Sequence, residues 1–253
     1  MHKKIAVKFV DNFKKEGVIG IVLLGGIARG YADKYSDIDI IVFTERNVDL
    51  GIPRESEISV KVPEEDYKKY GINVVTIDYE IIEYNKASEE KWDLEKRWAY
   101  SFGKVIYDPE GKIKKLLGKK IIFPDDECFT AMIEGIVQCE YLAENVPRKW
   151  IYRGDLVSAH FAVFLSILEL LKGLFALNKR LIPANPWILW CSKFLDWLPD
   201  NFMEKIKEAL LVKAFTNEDL ERRINAIKYL LAQVIPVIER KTGRKFEDLR
   251  KMV

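Results

Sequence analysis

Two aspartates, Asp37 and Asp39, flank Ile38 where an apolar run, Ile40 to Phe43, begins. Side chains alternate across a strand, so carboxylates at i and i+2 point the same way. Two ionised carboxylates side by side repel unless a cation lies between them, and a hard, oxygen-loving ion such as Mg²⁺ suits that place. Upstream, the run Val18 to Leu24 meets Gly25-Gly26. A glycine turn leaves backbone N–H groups uncovered, and bare amides beside a divalent cation are what a polyphosphate needs. Asp37 and Asp39 are therefore read as metal-binding, catalytic carboxylates. The amides of Gly25 and Gly26, the Ser36 hydroxyl and the Arg29 guanidinium are read as phosphate ligands. The plainer reading of Arg29 is a solvated turn arginine.

The order Gly-Gly, Ile-Ala-Arg-Gly, Ser-Asp-Ile-Asp resembles the signature of the nucleotidyltransferase superfamily that includes DNA polymerase beta. In that family the turn usually reads Gly-Ser; Gly26 removes the hydroxyl. The resemblance implies transfer of a nucleoside monophosphate from ATP or another nucleoside triphosphate, with Mg²⁺ at a two-metal site. It also implies a third acid in the middle of a later strand. In residues 72–76 that slot holds Asn73, Val74 or Val75. Asp78, at the far end of the expected strand, is the candidate third metal ligand. The other reading, which the local sequence favours, is the N-cap of a helix opening at Tyr79. Glu57 lies on the preceding strand.

The elements that must carry these residues follow from periodicity. A helix is expected over 4–16, strands over 18–24, 38–44, 57–62 and 71–78, a helix over 88–101 and a short strand over 101–107. From Asp125 onward only helical patterns remain: to about Asn145, stopped by Pro147; from Asp155 to about Asn178; then roughly 186–211 and 217–241. This order predicts an α+β protein: an N-terminal domain, 1–120, with a mixed sheet flanked by helices, and an all-helical domain, 121–253, that binds substrate.

Within the first of those helices, Phe129, Met132, Ile133, Ile136 and Val137 form an apolar stripe, and Glu140 falls in its middle with Glu144 one turn on. A carboxylate there must be paired or face a cleft. Either glutamate is a candidate general base for an acceptor hydroxyl; pairing with Arg148, Lys149 or Arg153 is the structural alternative. The layout resembles the kanamycin nucleotidyltransferase group. Thr76 to Tyr84 looks like its strand-to-helix passage, and Tyr107-Asp108-Pro109-Glu110-Gly111 like its closing turn. Glu140-Tyr141 and Lys149-Trp150 are similar to the helix carrying its base and a phosphate-contacting lysine. That resemblance implies a small acceptor held between the domains, and a homodimer fits it.

Composition narrows the partners. Across 253 residues, 41 basic groups face 39 acidic ones. With no basic excess to neutralise phosphates, nucleic acid is not the expected partner. Three cysteines and two histidines lack zinc-site spacing. No secretory signal is read at the start, and Glu169 and Lys172 interrupt the longest apolar run, Phe161 to Leu177. A cytoplasmic protein without a membrane span is expected. Two rivals remain: transfer to a macromolecule such as a tRNA end or a protein side chain, and a nucleotide-binding module with a damaged site.

Overall fold

Alternating apolar residues of the first half become strands. A computed structural model of the chain describes residues 1–252. Its first unit, Met1–Ile122, contains β1 (Val18–Leu23), β2 (Ile38–Thr44), β3 (Glu55–Lys61), β4 (Val74–Glu83) and β5 (Lys104–Tyr107). They form one mixed sheet in the order β3-β4-β2-β1-β5. β2 and β4 run parallel, and the other neighbours are antiparallel. Helices α1 (His2–Val10), α2 (Gly25–Arg29), α3 (Glu64–Tyr70), α4 (Tyr84–Glu89), α5 (Leu94–Ser101) and α6 (Lys112–Lys120) surround it.

The period of two assigns the faces. Ile38, Ile40 and Val42 point to one side, where they join Ile21, Leu23, Ile77 and Tyr79 beneath Ala6 and Val10 of α1. Ile41 and Phe43 point to the other, against Trp92, Tyr100 and Leu116. Trp92 is 1% exposed, and its indole N–H donates to the Ala87 carbonyl at 3.0 Å. Burying so large a ring is favourable once its polar handle is satisfied. Asp39 projects to this second side, between the buried Ile38 and Ile40.

One expected boundary is wrong in a way that matters. The helix expected to open at Tyr79 does not exist; β4 continues to Glu83. Val75, Ile77, Tyr79 and Ile81 are all buried, so alternation persists well past Asp78. A buried face over that length outweighs the helix propensity of Tyr-Glu-Ile-Ile. The expected 88–101 helix begins only at Leu94, where Asp93 accepts from the Lys96 N–H at 2.7 Å as N-cap.

The second unit, Phe123–Val253, is helical: α7 (Asp125–Glu140), α8 (Val146–Tyr152), α9 (Leu156–Leu177), α10 (Asn185–Ser192), α11 (Phe202–Leu210), α12 (Asn217–Thr242) and α13 (Phe246–Leu249). Pro147 does not stop the first of these. A π-turn, Tyr141–Asn145, joins α7 to α8, and the proline falls in the first turn of α8. Asp155 caps α9, accepting from the Ser158 N–H at 2.9 Å. Helices α7 and α9 cross at two glycines: a Cβ on Gly135 would lie 2.7 Å from the Gly173 nitrogen. Helix α9 is long and apolar enough to cross a bilayer, yet 67% of its most apolar window is buried inside this unit. The helix expected over 186–211 is broken, because Asn178 takes the Trp197 N–H at 2.8 Å and Pro199 follows. Pro236 lies within the continuous α12, whose stripe from Leu220 to Ile238 is buried. Packing there exceeds the roughly 3 kcal/mol that an interior proline costs.

Candidate active site

At the end of β1 the chain folds back on the start of β2: the Leu24 N–H donates to the Asp39 carbonyl at 2.9 Å. Gly25 then adopts φ +63°, and a Cβ there would lie 1.7 Å from Asp39 Oδ2. Only glycine fits, because both the left-handed backbone and the carboxylate exclude a side chain. Gly26 is different: a Cβ would meet Ser36 Oγ at 3.5 Å, an ordinary contact. Both glycines begin α2, so their N–H groups have no intrahelical acceptor.

Three carboxylates converge beside this turn. Asp37, Asp39 and Asp78 each offer an oxygen within 4.8 Å of the others. Asp37 is exposed, while Asp39 and Asp78 are half-buried. The parallel register places Asp39 opposite Asp78, and the antiparallel one places Glu57 on the other side of Asp78. Burial pushes the Asp39 carboxyl up to about 6, the charges of Asp37 and Asp78 add to this, and Arg29 opposes it. Burial also raises Asp78, with Asp37 and Glu57 reinforcing the shift and a carboxyl–carboxyl hydrogen bond to Asp37 favouring the protonated form. An all-oxygen donor set whose members resist ionising beside one another fits a hard divalent cation.

Arg29, at the last position of α2, points its charge at this group. Its guanidinium carbon stands 3.8 Å from the centre of the Trp98 ring and 5.5 Å from that of Phe102, and Nη1 donates to the Tyr31 hydroxyl at 3.1 Å. It is a held side chain, unlike the solvated turn arginine of the plainer reading. Ser36 lies beside Gly26, but its hydroxyl is engaged in the turn before Asp37: it accepts from the Asp33 N–H at 2.9 Å and reaches Asp33 Oδ1 at 3.4 Å.

The structure thus brings Gly25, Gly26, Arg29, Ser36, Asp37, Asp39 and Asp78 into one site of the first unit. Glu140, Glu144 and Lys149 form a separate group in the helical unit, around the π-turn. Glu140 pairs with Arg250, not with the basic residues expected from sequence. Glu144 pairs with Lys228 at 3.1 Å. Lys149 donates to the Tyr141 hydroxyl at 2.9 Å. Burial raises the Glu140 carboxyl, with Arg250 opposing and Glu144 reinforcing.

Asp78 is not an N-cap. It sits in mid-strand between the apolar Ile77 and Tyr79, the position the superfamily resemblance assigns to its third acid. The signal was present in the alternation from Val75 to Ile81. The stacking of Arg29 on Trp98 was not expected, because an aromatic in a charged helix carries no mark of what it stacks on.

Residues 3–123 match the model of the nucleotidyltransferase domain family. The match spans the sheet, the glycine turn and all three aspartates. The first unit is a nucleotidyltransferase domain, and through it the chain is a nucleotidyltransferase. Among solved structures, a nucleotidyltransferase-like protein from Exiguobacterium sibiricum 255-15 is similar, with a TM-score of 0.50 and 11% identity over 96% of this chain and 78% of that one. At such identity the likeness speaks for the fold alone. No curated protein sequence matches the chain.

Proposed function

We propose that this enzyme transfers a nucleoside monophosphate, with AMP first among the candidates, from a nucleoside triphosphate to a hydroxyl of a small acceptor, in the manner of the kanamycin nucleotidyltransferase group. The observation that carries the reading is the convergence of Asp37, Asp39 and Asp78 against the backbone of Gly25. Those carboxylates would hold Mg²⁺, which supplies neutralisation of triphosphate charge and eases loss of the acceptor's proton. The amides of Gly25 and Gly26 and the Arg29 guanidinium receive phosphate oxygens and orient the chain of phosphates for displacement. In the helical unit, Glu140 and Glu144 are the candidates for the acceptor's base and Lys149 for a phosphate contact.

One observation supports a small, polar acceptor. A concavity of about 620 Å³ includes Glu80, one pleat along β4 from Asp78 on the same face, together with Glu55, Lys86 and Lys96. Its charged lining suits a hydroxylated molecule better than an extended polyanion. The damaged-site reading rests on Gly26 in place of serine and on a missing strand acid; Asp78, in mid-strand opposite Asp39, speaks against the second of these. All three cysteines are free thiols, which supports residence in a reducing compartment such as the cytoplasm.

The test is calorimetry with each of the four common nucleoside triphosphates, with and without Mg²⁺, followed by pyrophosphate release against polyhydroxylated small molecules, tRNA and protein. Metal-dependent binding, and pyrophosphate release with a small acceptor, are expected. Release only with tRNA or protein overturns the acceptor class. Binding unaffected by Mg²⁺, or no binding at all, overturns the site.

A further inference from the structure

Arg29 is fixed by aromatic residues outside its own helix. Trp98, on α5, is 5% exposed and presents its ring face to the guanidinium at 3.8 Å. Phe102, one turn further, packs edge-on against Trp98 with centroids 6.4 Å apart and completes a corner. The helix that carries the ring is itself anchored. Asp93 caps it, and the buried Arg97 donates to the Trp92 carbonyl at 2.8 Å and to the Ile122 carbonyl at 3.2 Å. The guanidinium charge also reaches the Asp39 carboxyl, whose proton affinity it lowers against burial. A long, flexible cation is thereby confined to one plane beside the glycine turn.

We propose that Trp98 is a positioning residue for the triphosphate. Its indole face orients Arg29 toward the phosphates, so nucleotide affinity depends on a ring that acts through the arginine. This rests on the phosphate role given to Arg29 above. Arginine loses rotamer freedom when it grips a phosphate, and a side chain already stacked loses less. A desolvated cation–π contact corresponds to roughly tenfold to thirtyfold in affinity. A leucine at position 98 would keep an apolar filling while removing the quadrupole that attracts the cation; a phenylalanine would keep both.

The experiment measures Mg²⁺-dependent binding of the tightest of the four nucleoside triphosphates, and of Mg²⁺ alone, to the parent and to Arg29→Ala, Trp98→Leu, Trp98→Phe and the Arg29→Ala/Trp98→Leu double variant. Melting curves give the folded fraction of each. The expected pattern is a loss on the order of tenfold or more in Trp98→Leu, recovery toward the parent in Trp98→Phe, and unchanged binding of Mg²⁺ alone. The double variant should be no weaker than Arg29→Ala. Parent-like affinity in Trp98→Leu, or an additive loss in the double variant, overturns the positioning role while leaving Arg29 on phosphate. Parent-like affinity in Arg29→Ala overturns the phosphate role itself, and the inference with it. If Trp98→Leu does not fold, Trp98→Phe and Trp98→Met serve in its place, and equal affinity in those two also overturns the proposal.

Discussion

Asp39 and Asp78 stand opposite each other in the parallel register of β2 and β4, with the Asp39 carboxylate against the backbone of Gly25. Strand pairing itself thus forces two carboxylates together, in a place where burial already disfavours their charge.

Asp39→Asn should therefore be more stable than the parent at neutral pH in the absence of metal. The folded Asp39 carboxyl titrates near 6 instead of its ordinary value. Between those values the folded state holds a proton that the unfolded state has lost, so metal-free stability falls as pH rises from about 4 to 6. Allowing for solvent screening, the fall is roughly 1–2 kcal/mol. The stability difference between the parent and Asp39→Asn, from urea melts between pH 4 and 7, should follow this slope. Added Mg²⁺ should raise parent stability above pH 6 and leave the variant unmoved. A parallel slope in both proteins would mean that the strain lies elsewhere.

How much of this was legible in the sequence depends on distance along the chain. Gly25, Asp37 and Asp39 are close neighbours, and alternation with turn chemistry was enough to bring them together. Asp78 reaches the site only through a parallel strand pair, and its strand was ended too early because Tyr-Glu-Ile-Ile satisfies either period. Pro147 was read as a stop because sequence pattern does not reveal a π-turn that shifts the helix frame. The ion pair from Glu140 to Arg250 joins α7 to the chain's last turns, a proximity that only packing creates. Local rules reach neighbouring residues, and register and packing carry the rest.

The two glycines of the turn should behave oppositely. Gly25→Ala puts a methyl group where Asp39 Oδ2 lies and leaves a left-handed backbone angle that alanine resists by roughly 1–2 kcal/mol. It should lower the melting temperature and abolish metal-dependent triphosphate binding. Gly26→Ala meets only ordinary contacts and improves helix propensity, so stability should hold or rise by up to about 1 kcal/mol. Gly26→Val, bulkier beside the bare amide, should keep the fold and block triphosphate. If Gly26→Val binds as the parent does, the backbone cradle is elsewhere.

The helical unit should carry an acid-sensitive lock of opposite sign to Asp39. His160, 2% exposed, faces the Arg223 Nη1 at 2.8 Å through Nδ1, and its Nε2 lies 3.4 Å from the Thr216 carbonyl. Burial holds its pKa below the ordinary value; Arg223 and Arg222 also disfavour its charge, while Thr216 and Asp219 favour it. Below pH 6.5 the unfolded chain binds a proton that the folded one resists, so this stability is present above 6.5 and lost as pH falls further. Relative to His160→Gln, which keeps the opposing Asp39 slope, the parent should lose stability with acid below pH 6.5, and the variant's own stability should be lower by about 1–3 kcal/mol for the disturbed buried contact. An unchanged acid limb in the variant would assign the sensitivity to another group.

Glu140 ends α7 at the π-turn, half-buried and paired with Arg250, and burial raises its carboxyl. A carboxylate whose proton affinity is raised is a better base, while the arginine keeps it charged and aimed. Glu140→Gln should keep Mg²⁺-dependent triphosphate binding and lower turnover by about 10²–10⁴-fold. Glutamine matches its shape and helix propensity, so the helix should persist. Arg250→Gln removes the partner alone. Because that arginine is 41% exposed on its side chain, the stability change should stay within roughly 1 kcal/mol. Its pH–rate profile should shift to higher pH as Glu140 loses its counter-charge. Glu144→Gln, with Lys228 as partner, runs in parallel and decides between the two glutamates. Full turnover per folded molecule in both glutamine variants would remove the helical unit from the chemistry and leave it a binding role alone.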